Sequence, residues 1–221
     1  MGEKEMFKTE ILFEDKDIVV IVKPIGILSQ SDEKGSENCE GILNDYMKQK
    51  GEKCKIHLIH RLDRNVGGVM VFAKNKQAAA SLSSQIQNKT FVKEYYALVH
   101  SKPDTDEGVF EDLLFKDSRK NKTFVVNRVR KGVKDAKLAY KLIKTYESDY
   151  GQVSLVHIRL YTGRTHQIRV QFASRKMPLV GDGKYGGRDN NADIGLWSYK
   201  LTFVHPTLKK EINFAKESPF G

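Results

Sequence analysis

The sequence is poor in the residues that build disulfide scaffolds, metal centres and membrane spans. Only two of its 221 residues are cysteines, Cys39 and Cys54, and their spacing is not that of a CxxC motif. His57 and His60 lie three residues apart, but no third or fourth ligand follows at a suitable spacing. No apolar run approaches the roughly 20 residues that a membrane-spanning helix needs. We therefore expect a cytoplasmic protein with neither a disulfide framework, nor a metal site, nor a membrane span.

The start of the chain and its composition are those of an ordinary globular protein. Residues 1–6 lack the apolar core of a signal peptide, and the sixth residue does not fit the myristoylation pattern. Hydrophobic residues make up 39% and charged residues 30% of the chain, as in soluble domains. A chain of this length can bury a large core, as one domain or as two fused lobes.

Acidic residues are in the minority. The 38 lysines and arginines outnumber the 28 aspartates and glutamates, which gives a formal net charge of +10. This excess favours a polyanionic partner, because cations that neutralise phosphates release condensed counterions. A membrane surface is the lesser alternative, since no basic amphipathic helix stands out. A merely solvated basic surface also remains open, so the charge favours nucleic acid without requiring it.

Residues 57–72 concentrate charge and glycine between two apolar segments. Arg61, Asp63 and Arg64 fall within four positions, and a glycine pair follows them. In one interpretation the carboxylate forms structural ion pairs that tie a loop to a strand. In the other, nearby cations keep Asp63 ionised at a cleft, since opposite charges lower a carboxyl pKa. The residues alone favour the structural interpretation, because structural ion-pair networks also perturb pKa values.

A family resemblance shifts this balance towards catalysis. His60-Arg61-Leu62-Asp63-Arg64 resembles the signature of the RluA family of RNA pseudouridine synthases, in which the Asp is the catalytic nucleophile. The usual Asp-Thr-Ser-Gly-like continuation reads Asn65-Val66-Gly67-Gly68 here, so a hydroxyl pair is lost and the terminal glycine is kept. The initial His also matters, because the related RsuA-type enzymes usually have Gly there.

Two further motifs of this family supply the other candidate catalytic residues. Tyr95 lies where the family's KxYxA motif carries its active-site Tyr, and the resemblance implies that its ring stacks on the target base. A lone Tyr in a strand is more often a packing residue. Residues 161–171 resemble TGRTHQIRVH, with Gln171 in place of the last His. By the family pattern, Arg169 pairs with the catalytic Asp and Ile168 lines the pocket floor.

Local patterns within residues 161–171 predict a strand end followed by a helix. Gly163 is expected to end the strand, and Thr165 to cap the helix with its hydroxyl. Ile168 and Phe172 form an apolar i,i+4 pair that should face the core. Arg169 would then be held on a rigid element.

The resemblance extends over most of the chain. Residues 177–187 resemble HPLLGDxxYGG, and residues 196–206 resemble LHAxxLxFxHP with Trp197 in place of a His. With an RluA-like opening at residues 14–30, the match covers about residues 10–219. It leaves no room for a separate N-terminal S4 domain, so we expect a single catalytic domain over residues 1–221. Gly181 to Gly186 also fits GxGxxG, but a polar stretch follows where a phosphate-binding helix should begin. No nucleotide cofactor is therefore expected.

The implied fold class is α/β, of the mixed α+β kind, with a largely antiparallel central sheet and a cleft across it. Residue patterns predict strands at residues 9–13, 18–22, 91–99, 136–146 and 153–161. They predict helices around residues 42–51 and 76–88, where apolar residues recur at helical spacing.

Residues 116–134 form a basic segment around a short apolar strand. The basic residues are Lys116, Arg119, Lys120, Lys122, Arg128, Arg130, Lys131 and Lys134. A charge run is usually a solvated face, but we interpret this one as a hairpin whose Lys120, Lys122 and Arg130 contact RNA phosphates. Arg61 and Arg64 are expected to support their loop or to meet phosphate, and Arg164 is expected to bind the RNA substrate.

The resemblance thus implies an isomerase that converts specific uridines of structured ribosomal or transfer RNA to pseudouridine, and we expect a monomer. The reaction breaks the N1 glycosidic bond, rotates the uracil and rejoins it through C5, so no redox cofactor or metal is needed. One alternative is an RNA-binding module that has lost catalysis, supported only by residues 65–67 and the two lost His. Another is a glycosidase-like hydrolase, which usually requires two cooperating carboxylates. No second acid falls inside any of the motifs.

Overall fold

The structure is a computed structural model that describes residues 9–187, 189 and 192–220. The described chain divides into two compact units. Residues 9–91 and 198–217 form the first unit, and residues 92–197 and 218–220 form the second. The expectation of a single catalytic domain without a preceding S4 domain stays a prediction. The region around residues 188–191, where no phosphate-binding helix was expected, lies mostly outside the described residues.

The described residues form eleven strands and three helices. In chain order these are β1 (Glu10–Glu14), β2 (Ile18–Lys23), α1 (Cys39–Gln49), β3 (His57–Leu58), β4 (Gly67–Ala73), α2 (Lys76–Gln87), β5 (Val92–His100), β6 (Glu107–Asp117), β7 (Lys122–Val126), β8 (Val133–Ser148), β9 (Gly151–Leu160), α3 (Gln167–Ala173), β10 (Leu196–Val204) and β11 (Glu211–Ala215). Among the described residues, no helix has the length and apolar character needed to cross a membrane.

The first unit is built on the strand order β1-β2-β4-β10, with β3 paired to β4 and β11 to β10. The β1–β2, β2–β4 and β10–β11 pairings are antiparallel. Strands β2 and β4 are buried on both faces, as expected from their continuous apolar sequences. Ala78 and Leu82 of α2 pack in the core cluster that contains alternate residues of these strands. This core holds β4, which begins four residues after Asp63.

Both helices of the first unit begin at asparagines. Asn38 accepts a hydrogen bond from the backbone N–H of Gly41, and Asn75 accepts one from Ala78. These caps satisfy N–H groups that a helix start leaves without partners. Helix α1 ends at Gln49, and Gly51 follows with φ +75°, which confirms the predicted glycine stop.

The second unit is an antiparallel sheet in the order β5-β9-β8-β6-β7. Strand β8 has 16 residues and pairs with β9 on one side and β6 on the other. Helix α3 is short, yet six of its seven residues are buried. Phe172 of α3 packs edge-on against Phe110 and Tyr140, with ring centroids 5.0 and 5.8 Å away. The strands thereby fix the helix that carries Arg169.

The predicted strands and helices are confirmed, and their ends lie within three residues of the predicted ones. The starts of α1 and β8 shift the most, by three residues each, and β8 begins at Val133 because Val133 pairs with Phe115 of β6. Strand β6 is an addition to the predicted elements. Its sequence mixes charges and apolar residues without strict alternation, so its extended form depends on pairing with β7 and β8.

Candidate active site

Asp63 lies in the loop between β3 and β4, where its side chain is partly exposed. Its backbone carbonyl accepts a hydrogen bond from Val66 N at 3.0 Å, which closes a tight turn. Val66 is only 1% exposed, so the side chain after the turn packs into the core. Gly68 has φ +114°, and a Cβ atom there would lie 2.3 Å from the carbonyl oxygen of Ser198. Only glycine fits this position, which fixes the exit of the loop into β4.

Buried Lys23 holds the same loop from the other side. Its Nζ donates to the carbonyl oxygens of Pro24 at 2.8 Å, Ile27 at 2.6 Å and Arg64 at 3.1 Å. Burial lowers the pKa of Lys23 to about 8, and the negative charge of Asp63 opposes that shift. Three carbonyl acceptors favour the ammonium form, so Lys23 carries its charge beneath the loop at neutral pH. The motifs indicated no role for this lysine.

Additional bonds join residues 23–29 to the Asp63 loop. Arg64 Nε donates to Gly26 O at 2.8 Å, and Gly26 N donates to Arg64 O at 2.9 Å. Ser29 Oγ donates to Leu62 O and accepts from Leu62 N. Both residues that flank Asp63 are therefore held by hydrogen bonds. The Arg64 side chain contributes to this link between the two segments, and Arg61 is exposed.

Lys23→Met tests this anchor, because methionine fills a similar volume and cannot donate hydrogen bonds. Three buried carbonyl groups would lose their charged donor, and we expect a loss of about 3 kcal/mol in the free energy of unfolding. The measurement is urea denaturation of both proteins. Lys53→Met, at an exposed position, serves as the control. Equal stability of Lys23→Met and wild type would show that Lys23 does not anchor the loop.

His60 has a structural position in the same unit. The backbone N–H of Val71 donates to His60 Nε2 at 3.3 Å, and the ring lies 5.8 Å from that of Phe91. His57 begins the short strand β3 and pairs with Ala73. His60, which opens the HRLDR motif, thus connects the segment before Asp63 to β4 through a hydrogen bond.

Tyr95 lies on β5 in the second unit, opposite Ile158 of β9. Its side chain is 5% exposed. Lys93, Tyr95 and Ala97 share one face of the strand and are all buried, while the residues between them are partly exposed. Stacking of this ring on a uracil stays a prediction.

Arg169 on α3 forms a buried, two-pronged ion pair with Asp182. Arg169 Nε lies 2.7 Å from Oδ2, and Nη2 donates to Oδ1 at 2.8 Å. The two residues are 6% and 0% exposed. A bidentate pair of this kind fixes both the position and the plane of the guanidinium. Asp182 belongs to the segment that resembles HPLLGDxxYGG, but the motif alone did not reveal its partner.

The Tyr185 ring packs against the Arg169 guanidinium. Its ring centroid lies 5.2 Å from the Arg169 guanidinium carbon. Its hydroxyl accepts from Thr123 N at 2.8 Å and lies 2.9 Å from His166 Nδ1. Burial raises the pKa of Tyr185, so the phenol stays protonated at neutral pH. The hydroxyl joins β7 and the start of α3 to the loop that carries Asp182.

The predicted cap of α3 is wrong. The residue before the helix is His166, with φ +51° and no side-chain capping bond. Thr165 instead accepts, through its carbonyl, a hydrogen bond from Thr123 Oγ1. The loop is closed by Gln167 Oε1, which accepts from Arg164 N at 3.0 Å and from the Thr162 hydroxyl. The buried Ile168–Phe172 pair is confirmed, at 4% and 0% exposure.

The basic segment forms a hairpin as predicted. Strand β7 pairs with β6, and Lys120 and Arg130 are exposed. Lys122 Nζ lies 5.1 Å above the Tyr185 ring, and Lys184 Nζ donates to Asn121 O at 3.0 Å. The hairpin is therefore joined to the loop that positions Arg169. Contact of its cations with RNA stays a prediction.

A cluster of Asp15, Asp17 and His205 has the residue types of a metal site. His205 Nδ1 accepts from the backbone N–H groups of Thr207 and Leu208, so Nε2 carries the proton that lies 2.9 Å from Asp15 Oδ2. Asp17 accepts hydrogen bonds from Asn75 and from the hydroxyl of Thr207. These hydrogen bonds connect the β1–β2 turn to the residues after β10, and they give the cluster a structural role.

The predicted site residues divide between the two units. Asp63, Arg61 and Arg64 belong to the first, and the others belong to the second. The residues in the second unit are Tyr95, Lys120, Lys122, Arg130, Arg164, Ile168 and Arg169. The pairing of Arg169 with Asp63 stays a prediction.

Comparison with known proteins decides the family. The family described as RNA pseudouridylate synthase matches residues 17–174. The chain belongs to this family. It is an enzyme of the isomerase class, and the family converts uridine to pseudouridine in RNA.

Individual relatives agree with this assignment. The uncharacterized RNA pseudouridine synthase YhcT of Bacillus subtilis is 36% identical over 218 residues, covering 98% of this chain and 70% of the relative. The uncharacterized RNA pseudouridine synthase MG209 of Mycoplasma genitalium is 34% identical, covering 94% of this chain and 66% of the relative. A ribosomal large subunit pseudouridine synthase C of Buchnera aphidicola is 32% identical, with the same coverage. The chain thus spans about two thirds of the length of these relatives.

Solved structures confirm the mixed α+β fold. Human RNA pseudouridylate synthase domain containing 4 superposes with a TM-score of 0.77 at 24% identity. The alignment covers 95% of this chain and 88% of the human chain. Human RNA pseudouridylate synthase domain containing 1 gives the same TM-score at 22% identity, covering 100% and 87%.

Two departures from the pseudouridine synthase pattern have structural explanations. Gln171, in place of the usual His, is fully buried and donates from Nε2 to Phe110 O and Asp112 Oδ2. It therefore anchors α3 to β6. In the turn after Asp63, Val66 packs in the core where the family pattern has a hydroxyl. Packing and the backbone bond to Asp63 hold this turn.

Proposed function

We propose that this pseudouridine synthase isomerises specific uridines in structured ribosomal or transfer RNA, with Asp63 as the nucleophile. The observation that carries the proposal is the fixed presentation of the Asp63 loop. Lys23, Ser29 and Gly26 hold the residues on both sides of Asp63, while the carboxylate itself stays partly exposed. A nucleophile held on a rigid support is the arrangement that covalent catalysis needs.

The chemistry assigns a separate task to each residue. The Asp63 carboxylate attacks C1′ as the N1 glycosidic bond breaks or, in the competing mechanism, adds to the base. The uracil then rotates and C5 bonds to C1′, as the bond between C1′ and Asp63 breaks in the first mechanism, or before Asp63 leaves the base in the second. In both mechanisms C5 loses its proton and N1 gains one. Arg169 holds the carboxylate ionised and aimed, Tyr95 stacks on the base, and Ile168 lines the pocket floor. The target uridine must leave its stack to reach these residues.

Ribosomal RNA is the first substrate to examine, because the name of the Buchnera relative refers to the ribosomal large subunit. The direct experiment maps pseudouridines in total RNA from cells with and without the gene. We expect one or a few positions to disappear on deletion, and to return with the wild-type gene but not with Asp63→Asn. Identical maps in all four strains would overturn the proposal.

An inactive RNA-binding module is the competing interpretation, and residues 65–67 are its main support. The Asp63–Val66 turn bond and the glycine at position 68 keep that loop closed despite the changed sequence. The structural effect of the departure is therefore small, which favours the enzyme over the module.

Tyr95→Phe separates stacking from proton transfer, because it removes only the hydroxyl. If the hydroxyl takes part in proton transfer, RNA affinity should be retained and turnover should fall by about 10²-fold or more. Binding and single-turnover assays on the same RNA measure the two effects. Tyr96→Phe, at the adjacent and partly exposed position, is the control. Unchanged turnover in Tyr95→Phe would reduce this residue to a stacking platform.

Replacing Lys120, Lys122 and Arg130 together with Ala tests the hairpin. Each phosphate contact contributes roughly 0.7 to 0.9 to the slope of log affinity against log salt, so the slope should flatten by about two units. Turnover at saturating RNA should change much less, since Asp63, Tyr95 and Arg169 lie on other segments.

A matched variant controls for net charge. Replacing the exposed residues Lys53, Lys55 and Lys76 with Ala removes the same charge from the first unit. We expect its salt slope to stay closer to wild type. If the hairpin variant keeps the wild-type slope within error, the hairpin is only a solvated loop, and the RNA path follows other cations such as Arg61, Arg64, Arg164 and Lys184.

A further inference from the structure

Three lysines are buried among the described residues, and one of them differs from the others. Lys23 donates to three carbonyl oxygens, and Lys74 forms ion pairs with Glu14 at 2.8 Å and Glu52 at 2.6 Å. Lys93 is 9% exposed, yet within the described part of the chain its Nζ has no hydrogen bond and no ion pair. The Lys93 side chain is thus mostly buried while its ammonium lacks acceptors from the described residues, and a ligand that supplies acceptors would stabilise it.

A second cation adjoins Lys93. A Cβ atom at Gly163 would lie 3.1 Å from Lys93 Nζ, which places the ammonium against the loop that begins at Gly163. Burial lowers the pKa of Lys93, and the charge of Arg164 lowers it further. No carboxylate contributes to this shift. Lys93 Nζ therefore lies against the loop that carries Arg164, close enough for the two positive charges to interact.

The loop holds Arg164 in place for a ligand. Its backbone N donates to Gln167 Oε1 at 3.0 Å, and its Nε donates to Asp135 O at 2.8 Å. Its two terminal nitrogens have no hydrogen-bond partner in the range that the structure covers. Gly163 is exposed and has no side chain, so the approach to Lys93 is open at this point. A tetrahedral oxyanion accepts hydrogen bonds from such donors.

We propose that Lys93 and Arg164 bind one backbone phosphate of the RNA, next to the uridine that is isomerised. This inference rests on the proposed function, which supplies the RNA. Lys93 and Tyr95 lie on the same face of β5, two residues or about 7 Å apart along the strand. A phosphate on Lys93 would therefore belong to the nucleotide whose base stacks on Tyr95, or to its neighbour. Lys93 is a positioning residue that fixes the register of the extruded nucleotide.

Methylphosphonate substitution tests the contact, because it removes the charge of a single phosphate. The RNA is a short substrate with one methylphosphonate on the 5′ or the 3′ side of the target uridine, or at a remote linkage. For wild type we expect one of the two near substitutions to lower kcat/KM by about tenfold or more, and the remote one to have little effect. For Lys93→Met the same near substitution should change kcat/KM less than twofold. Lys93→Arg, which keeps the charge, should restore the wild-type response.

If Lys93 had only a structural role, its replacement would change stability and activity in another way. Lys93→Met would then lower the melting temperature and reduce activity equally on charged and substituted RNA. If Lys93 binds the phosphate instead, the melting temperature should stay level or rise, because the variant removes a charge that lacks acceptors from the described residues. Lys141→Met, an exposed position on β8, is the matched control and should behave as wild type. If the near methylphosphonate lowers kcat/KM of Lys93→Met by the same factor as that of wild type, Lys93 does not contact this phosphate.

A second measurement does not depend on activity. Uridine 3′,5′-bisphosphate is titrated into wild type, Lys93→Met and Lys141→Met by calorimetry. Binding to wild type and Lys141→Met but not to Lys93→Met supports the phosphate site, even if no RNA proves to be a substrate. Equal binding to all three proteins, or none to wild type, contradicts it. Failure of the proposed function would appear separately, as unchanged pseudouridine maps.

Discussion

Asp63→Asn is expected to abolish pseudouridine formation while leaving the fold and RNA affinity nearly intact. The amide has almost the same shape as the carboxylate but is not a nucleophile at neutral pH. Removal of a nucleophile costs about 10⁴-fold or more in turnover. The loop would keep its geometry, since Lys23, Ser29 and Gly68 hold it through bonds and contacts that do not use the Asp63 carboxylate.

The measurements are single-turnover pseudouridine formation, RNA affinity and melting temperature on the same preparations. Asp45→Asn, at an exposed position on α1, is the control for loss of one negative charge. If Asp63 only formed structural ion pairs, Asp63→Asn would lower the melting temperature, since breaking a partly buried ion pair costs stability. Near wild-type turnover on the cognate RNA would remove Asp63 from the mechanism.

Asp182→Asn should give the second large effect, through Arg169. Both carboxylate oxygens of Asp182 bind the guanidinium, and the pair is buried. An asparagine has one acceptor and no charge, so the guanidinium would lose its fixed plane. Misplacement of a catalytic group by about 1 Å can cost about 10²-fold, and we expect kcat to fall by that factor with KM nearly unchanged. Breaking the buried pair should also cost about 3 kcal/mol or more of stability.

A neighbouring ion pair supplies the control for stability. Arg175, just after α3, pairs with Asp112 of β6 at 2.9 Å. Asp112→Asn should lower the melting temperature while kcat stays near wild type. Asp182→Glu keeps the charge and should recover part of the lost turnover. If Asp182→Asn and Asp112→Asn reduce kcat in the same proportion to their stability losses, Asp182 has no positioning role.

The elements of the fold could be predicted because local patterns determine them. The apolar run of β2, the alternation of β9 and the helical spacing of α2 each identify an element without tertiary information. Strand β6 was not predictable in this way, because its mixed sequence depends on pairing with two other strands. The Thr165 cap failed for a similar reason, since the Gln167 side chain closes that loop instead.

The candidate catalytic residues came from motif resemblance, whereas their supports came from the structure. Lys23 reaches Arg64, 41 residues along the chain, and no local pattern shows that contact. Asp182 lies 13 residues from Arg169, with a chain reversal between them. Lys93 differs from the buried Lys23 and Lys74 in having no hydrogen bond or ion pair within the described residues, and only the structure shows this difference. Residue types and motif order could thus be read from sequence, while pairing and burial could not.

Tritium release from RNA labelled at C5 of uridine tests the central claim most directly. The C5 hydrogen is lost when C5 bonds to C1′, so each pseudouridine releases one tritium to water. Purified wild-type protein is incubated with unmodified transcripts of ribosomal and transfer RNA, and Asp63→Asn is run in parallel. We predict multiple-turnover release from at least one transcript with wild type, and release at the background level with Asp63→Asn. No release from any transcript with folded wild-type protein, or equal release by both proteins, would contradict the account.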